Sequence, residues 1–534
     1  MPLTQLYSYV YTIFFSSILA LAAFFLIVRY APQRIRDGLT RVLDVLNRPV
    51  VMWTITVLVS IAVFLYFAIA RVLLYKTFQL PVFDFGIYVQ TLWKVAHNQS
   101  PSILFTRQPH WLGDHFQPIL YLIAPFARIL QPHLVLLILE PLAVAGSCIF
   151  LAALSYKYTK STLFTLALVL CYSLGYSSYF ALFYPFHPST LVGPLLLWAL
   201  WALDEERWYQ FGIAILLALG CKEDVGYYLG MLGVWMLLFR NKKAKYAALP
   251  TILVCFGWSI LATKVFIPHF KQQPFDTIYT LDPQLTSIHQ SLLDTVVRQP
   301  SVLWKVVTNS AIKNEGITAS LVSFGLLPLL YLIFLPIIPV FAERFYSSNP
   351  NHYSLFFHYG APAMAVLAFM ALRGGSAALR RLTASKRHFP ANSAALFRQL
   401  GYILFAVTML YGMVKADTAL GVQRFKFRTA YAAIQSPDTL ARQHAVDLIP
   451  ADASVIAQDG FATNLAARNN VMILDGTPLT TFQYVLLDPY MPSWPLNAEA
   501  VQSYIDSLST STQWKLIYHQ QSVYVFQNLA VAKS

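Results

Sequence analysis

Charge is scarce in this chain. Of its 534 residues only 12% are Asp, Glu, Lys or Arg, while 57% are hydrophobic. A water-soluble protein of this length would need far more charge to cover its surface, so an ordinary soluble globule is excluded. Cysteine is also sparse: Cys148, Cys171, Cys221 and Cys255 all lie in apolar stretches and form no disulfide framework. There is no glycine-rich phosphate loop, no Cys/His pair at metal-ligand spacing and no internal repeat, and Gly374-Gly375 beside a basic stretch is too little for a motif. Met1 to Gln5 carries no positive charge, and the apolar run Tyr9 to Val28 exceeds a signal-peptide core, which predicts an uncleaved first span.

Long apolar runs dominate what remains, and the mean hydropathy is +0.54. A run of roughly 20 apolar residues crosses a bilayer as a helix that satisfies its own backbone, so the chain reads as a polytopic membrane protein. Its net charge of +14 calls for no nucleic acid, because the basic residues gather in Arg29 to Arg48, Arg240 to Lys245 and Arg373 to Arg398. The positive-inside rule makes these cytoplasmic loops.

With those loops inside, spans fall near 8–29, 50–74, 133–155, 161–183, 189–203, 247–267, 359–373 and 399–415. Residues 208–239 are too long for one crossing and read as two short helices meeting near the outer surface at Lys222-Glu223-Asp224. Leu326 to Phe341, broken by Pro328, Pro336 and Pro339, reads as an inside hairpin. The total is about 12 crossings by the length rule, with both termini outside.

Residues 1–49 form an extra leading helix and basic loop, and 50–415 a membrane domain with external loops at 75–132 and 268–316. The first loop carries a broken interfacial piece at Ile119 to Leu130, flanked and interrupted by Pro118 and Pro125; the second carries amphipathic sequence around Leu292 to Val307. Residues 416–534 turn polar, with short β-rich runs at Ser454–Ala457, Val471–Leu474, Tyr484–Leu487, Trp514–His519 and Val523–Phe526 and helical stretches at Phe461–Arg468 and Asn497–Leu508. That predicts a small extracytoplasmic α/β domain, with no chemistry of its own.

Four polar clusters interrupt apolar sequence wherever this map brings the chain to the outer face: Asp84, Gly113-Asp114-His115-Phe116, Phe186-His187-Pro188 and Lys222-Glu223-Asp224. Ionisable groups at the edge of hydrocarbon are costly and rarely idle. Each has a plainer reading as well: Asp84 as a capping carboxylate, Asp114-His115 as loop polarity, His187 as the shaper of a hairpin tip before Pro188, and Lys222-Glu223-Asp224 as a neutralised turn. His352, Tyr353, His358 and Tyr359 suit the interface, where aromatics concentrate, as well as a substrate.

Asp84 in its Phe83-Asp84-Phe85-Gly86-Ile87-Tyr88-Val89-Gln90 setting, with Gly113-Asp114-His115-Phe116-Gln117-Pro118, Phe186-His187-Pro188 and Lys222-Glu223-Asp224, resembles the sequence blocks of a prokaryotic integral-membrane family known as a domain of unknown function. The similarity covers roughly residues 50–490, and that family is in turn similar to the GT-C type of membrane glycosyltransferases. The resemblance implies a mainly α, GT-C-like bundle in a prokaryotic cell membrane, a sugar donor carried on polyprenyl phosphate and an acceptor met at the outer surface. Asp84 would then be the base, and Gln90, His187, Lys222, His352 and Tyr353 would contact substrate. Asp114, His115, Glu223 and Asp224 would hold a divalent cation such as Mg or Mn, although the paired Asp-x-Asp of familiar GT-C enzymes is missing. A transporter or flippase lined by the same charges, and a non-catalytic scaffold, are the alternatives; the gathering of polar residues near one face disfavours transport.

Overall fold

The structure, a computed structural model, describes residues 2–273, 281–286, 298–354, 356–384 and 391–531. Helices prevail because an apolar run in lipid can satisfy its N–H and C=O groups only internally. The first are α1 (Pro2–Tyr30), α2 (Gln33–Leu46) and α3 (Pro49–Lys76), followed by α4 (Ile87–Ala96), α5 (Ile119–Ile123) and α6 (Pro132–Thr159). Proline opens α3 and α6 at the position where a missing N–H costs nothing. Next come α7 (Thr162–Leu174), α8 (Tyr176–Phe183), α9 (Val192–Asp204), α10 (Trp208–Leu219), α11 (Val225–Phe239) and α12 (Lys242–Leu261). Helices Ala361–Leu382 and Ala391–Ala419 complete the membrane part.

Among the described residues, six helices are long and apolar enough to cross a membrane, or seven if the bent pair α7 and α8 is one span. The expected count of about 12 is not matched by helices of spanning length, because α9, α10 and α11 are only 13, 12 and 15 residues long. Burial ranks the spans. Only 6% of the apolar window in α1 is buried, against 83% in His358–Leu382, so the former lies on the rim and the latter at the centre.

Local expectations can be compared directly. The Ile119–Leu130 piece is broken, α5 giving way to a 3-10 turn at Ala124–Arg128 with Leu122 and Phe126 exposed. Residues 208–239 form two short helices with Lys222 in the turn between them. The proline-rich run from Leu326 makes a 3-10 turn, Leu327–Tyr331, and then a helix, Ile337–Phe345. Of the amphipathic stretch 292–307, residues 292–297 lie outside the described residues and the rest belongs to the helix Ser301–Thr308.

The C-terminal region holds one five-stranded sheet in the order β2-β1-β3-β5-β4. Its strands are β1 (Val455–Ala457), β2 (Val471–Ile473), β3 (Tyr484–Leu487), β4 (Trp514–Gln520) and β5 (Val523–Asn528). β1 runs parallel to β2 and β3, while β5 is antiparallel to β3 and β4. The sheet is joined to the bundle. Val455, Phe461 and Met491 belong to the same apolar cluster as Phe85 and Leu92, and the Val82 N–H donates to Asp459 Oδ1 at 2.5 Å.

Candidate functional site

Past the end of α3 and Pro81, the turn Val82–Gly86 presents Asp84 at φ 77°, ψ −77°. That is a γ-turn conformation that a non-glycine residue adopts only under strain, at a cost of about 1–3 kcal/mol. Neighbours hold it there. Val82 is tied to Asp459 on one side, and the Phe83 ring meets Trp494 edge-on at 4.5 Å.

The Asp84 carboxylate is one-third exposed, with His187 Nε2 3.2 Å from Oδ1. Tyr184 donates its hydroxyl to Oδ2 at 2.7 Å. Burial alone would raise the pKa of this carboxyl, but the adjacent His187 and the two hydrogen bonds outweigh it and hold the group below its ordinary value. Asp84 is therefore an oriented carboxylate.

Tyr184 and His187 are themselves fixed from below. Arg71 of α3 donates to the carbonyls of Leu182 and Tyr184 at 2.7 and 3.4 Å. It also pairs with Glu140 of α6 at 2.6 Å, both side chains being fully buried, and Glu140 Oε1 accepts the His187 N–H at 3.0 Å. The His187 ring stacks on His358, centroids 3.6 Å apart.

A second group faces Asp84. His115 Nδ1 lies 2.9 Å from Glu223 Oε1, and Glu223 Oε2 accepts the Phe116 N–H at 3.0 Å. Burial opposes both charges, yet their mutual attraction wins: the His115 pKa is pushed up to about 9 and that of Glu223 down to about 2. Gly113 lets this loop approach closely, because a Cβ there would stand 2.7 Å from the Lys271 nitrogen. Lys222 Nζ lies between Asp224 Oδ2 at 2.7 Å and Glu343 Oε1 at 3.0 Å. Burial, and then repulsion by Glu343, lifts the Asp224 carboxyl well above its usual range.

These groups meet at a cavity of about 120 Å³. Asp84, Tyr184 and His187 line it together with Asp114, His115 and Lys222, and so do Tyr88, His358 and Tyr359. The volume is below the roughly 300 Å³ at which ligand pockets begin. It accommodates reacting groups, not a whole substrate.

Of the residues singled out in the sequence, Asp84, Asp114, His115, His187 and Lys222 converge here. Glu223 and Asp224 stand behind His115 and Lys222. Of the other suggested substrate contacts, Gln90 is buried with Oε1 accepting the Leu104 N–H at 3.0 Å, and Tyr353 lies 5.0 Å beneath Lys313. Neither lines the cavity. His352 is buried behind Tyr359, ring centroids 4.7 Å apart, and does not line the cavity either. Of the four suggested cation ligands, His115 and Glu223 pair with each other and Asp224 lies against Lys222, and among the described residues no three His, Cys, Asp or Glu side chains are grouped to hold a metal. The residues present do not fit a cation site.

Sequence reasoning missed Tyr184, Glu343 and the Arg71–Glu140 pair. Only the last left a signal, a lone charge inside each of two apolar spans.

Residues 74–525 match the family described as "Predicted membrane protein (DUF2079)", and the chain belongs to that family. No curated protein matches it. Among solved structures, ArnT from Cupriavidus metallidurans bound to undecaprenyl phosphate is similar at 12% identity, covering 87% of this chain and 98% of that one with a TM-score of 0.42. The apo state of ArnT from Cupriavidus metallidurans is similar at 14% identity, covering 87% and 97%, with a TM-score of 0.41.

Proposed function

We propose that this member of the DUF2079 family is a membrane glycosyltransferase that moves a sugar from a polyprenyl-phosphate-linked donor to an acceptor hydroxyl at the extracytoplasmic face, with Asp84 as the base. One observation carries the reading: an ionised carboxylate, strained in backbone and oriented by Tyr184 and His187, opens onto a cavity that His115 and Lys222 also line. A transferase needs both halves of that arrangement.

In the proposed reaction Asp84 takes the proton of the acceptor hydroxyl as its oxygen bonds to the anomeric carbon. The bond from that carbon to the phosphate oxygen breaks, and its electron pair leaves with the lipid phosphate. His115, kept cationic at neutral pH by Glu223, faces the developing negative charge together with Lys222. Glu343 already compensates much of the Lys222 charge, which makes His115 the better phosphate partner. No step is routed through a metal. The same reading puts the N-terminus, the Asp84 face and the C-terminal sheet outside a prokaryotic cell membrane, with the basic loops inside.

The test is transfer from a labelled polyprenyl-phosphate sugar by the purified full chain. Asp84→Asn keeps size and hydrogen bonding but removes the base, so transfer is expected to fall by about two to four orders of magnitude. Near-wild-type transfer by that variant overturns the assignment. Movement of a solute across vesicles by the wild type, with no glycosidic product, replaces the reading with transport.

A further inference from the structure

A second cavity of about 790 Å³ shares no lining residue with the one at Asp84. It sits at the level where two membrane helices end, with Tyr75 and Lys76 closing α3 and Gln131, Pro132 and His133 opening α6. Helices Pro437–Asp447 and Asp459–Asn464 of the C-terminal region form its roof, through Gln443, Val446 and Asn464 among others. Its size lies within the range of pockets that take a ligand.

Two features describe that ligand. The walls carry Lys76, Arg128 and Arg468 against the single carboxylate Asp447. Arg468 is buried and spends its guanidinium on the carbonyls of Leu465, Pro450 and Ala453, whereas Lys76 and Arg128 sit in no ion pair among the described residues, and the Arg128 guanidinium is aimed by donating to Ala96 O at 2.5 Å and Asn98 Oδ1 at 3.1 Å. Beside these cations, the broken segment after α5 forms an apolar lip, with Phe126 58% and Ile129 81% exposed. So much exposed hydrocarbon beside a basic cavity at the end of two spans suits an amphiphile, its anionic end in the cavity and its tail along the lip.

We infer that this cavity binds the phosphate headgroup of an anionic membrane lipid from the leaflet at this face, with acyl chain against Phe126 and Ile129. The inference does not depend on the transferase reading, since it uses none of the Asp84 residues. Trp93, which lines the cavity and stacks on His97 at 4.5 Å, supplies a reporter.

The experiment reconstitutes the full chain into phosphatidylcholine vesicles containing acyl-brominated phosphatidylglycerol and follows the quenching lost in Trp93→Phe. Quenching is expected to saturate at a low phosphatidylglycerol fraction. A basic side chain near an anionic surface is worth about 1 kcal/mol, or roughly fivefold, so Lys76→Gln with Arg128→Gln shifts the half-point upward by about an order of magnitude or more. Asp447→Asn shifts it the other way by roughly fivefold, a gain that a misfolded variant cannot produce. Equal quenching by brominated phosphatidylcholine, or half-points indifferent to all three substitutions, overturns the proposal. Displacement by inorganic phosphate at low concentration overturns the lipid source and makes the cavity a site for free phosphate.

Discussion

Two carboxylates hold His187, and they differ in almost everything else. Asp84 meets its ring from a strained turn and is one-third exposed; Glu140 meets its backbone from inside α6, is fully buried, and is clamped to Arg71 at 2.6 Å. The first can receive a proton from outside the protein, while the second cannot be reached. On the proposed reading the difference separates a working group from a positioning one, and it predicts opposite responses to substitution. A reachable carboxylate can be neutralised with little harm to the fold. A buried one leaves its partner charge without compensation.

Glu140→Gln is therefore expected to have the largest effect on stability, about 3–5 kcal/mol, measured by thermal or denaturant unfolding in detergent. Activity should fall with it as Tyr184 and His187 lose their support. Asp84→Asn should fold within about 1 kcal/mol of wild type, because asparagine tolerates positive φ, while transfer collapses. If Asp84→Asn unfolds the protein and Glu140→Gln does not, the two roles have been exchanged.

The His115–Glu223 pair supplies a pH test. The folded pKa of His115, about 9, lies above its ordinary 6.5, so its stabilisation is complete below pH 6.5 and is lost as pH rises through 9. Thermal midpoints should fall across that window by the equivalent of up to about 3 kcal/mol, and Glu223→Gln should flatten the slope. A slope unchanged in Glu223→Gln would show that another group titrates there.

Asp459→Ala removes the acceptor of the Val82 N–H and should cost about 1–3 kcal/mol, with a loss of transfer larger than that destabilisation explains. The smallest effect is expected at Arg107, which is 65% exposed and 2.8 Å from Asp475 across the same interface. Arg107→Ala should change stability by less than about 1 kcal/mol and leave transfer intact, so the interface can be weakened at its rim without disturbing Asp84.

The convergence of Asp84, Asp114, His115, His187 and Lys222 was legible in the sequence because few charges occur in so apolar a chain and the basic loops assign each to one face. The β-runs were legible too, since alternating and β-branched stretches stand out in a polar tail. Residue roles within the outer face were less so. Gln90 lies six positions from Asp84, yet it follows the turn into α4 and points at the loop bearing Leu104. Tyr184, one aromatic among many near span ends, carries no mark of its partner. Glu343 follows a proline-rich stretch read as cytoplasmic, and only the packing of Ile337–Phe345 against α11 brings it to Lys222. The count of crossings is harder to read at α9, α10 and α11, whose apolar composition is that of spans but whose lengths are 13, 12 and 15 residues.

The bond from Val82 to Asp459 has a further consequence, in the order of assembly. A chain made from its N-terminus inserts its helices first and completes the sheet last, yet the turn bearing Asp84 is held by a residue from that late region. Until the tail has folded, the turn at Asp84 lacks the contact that sustains its strained backbone. A chain ending before Pro437 is expected to settle in the membrane with its spans intact and, on the proposed reading, to be inert in transfer.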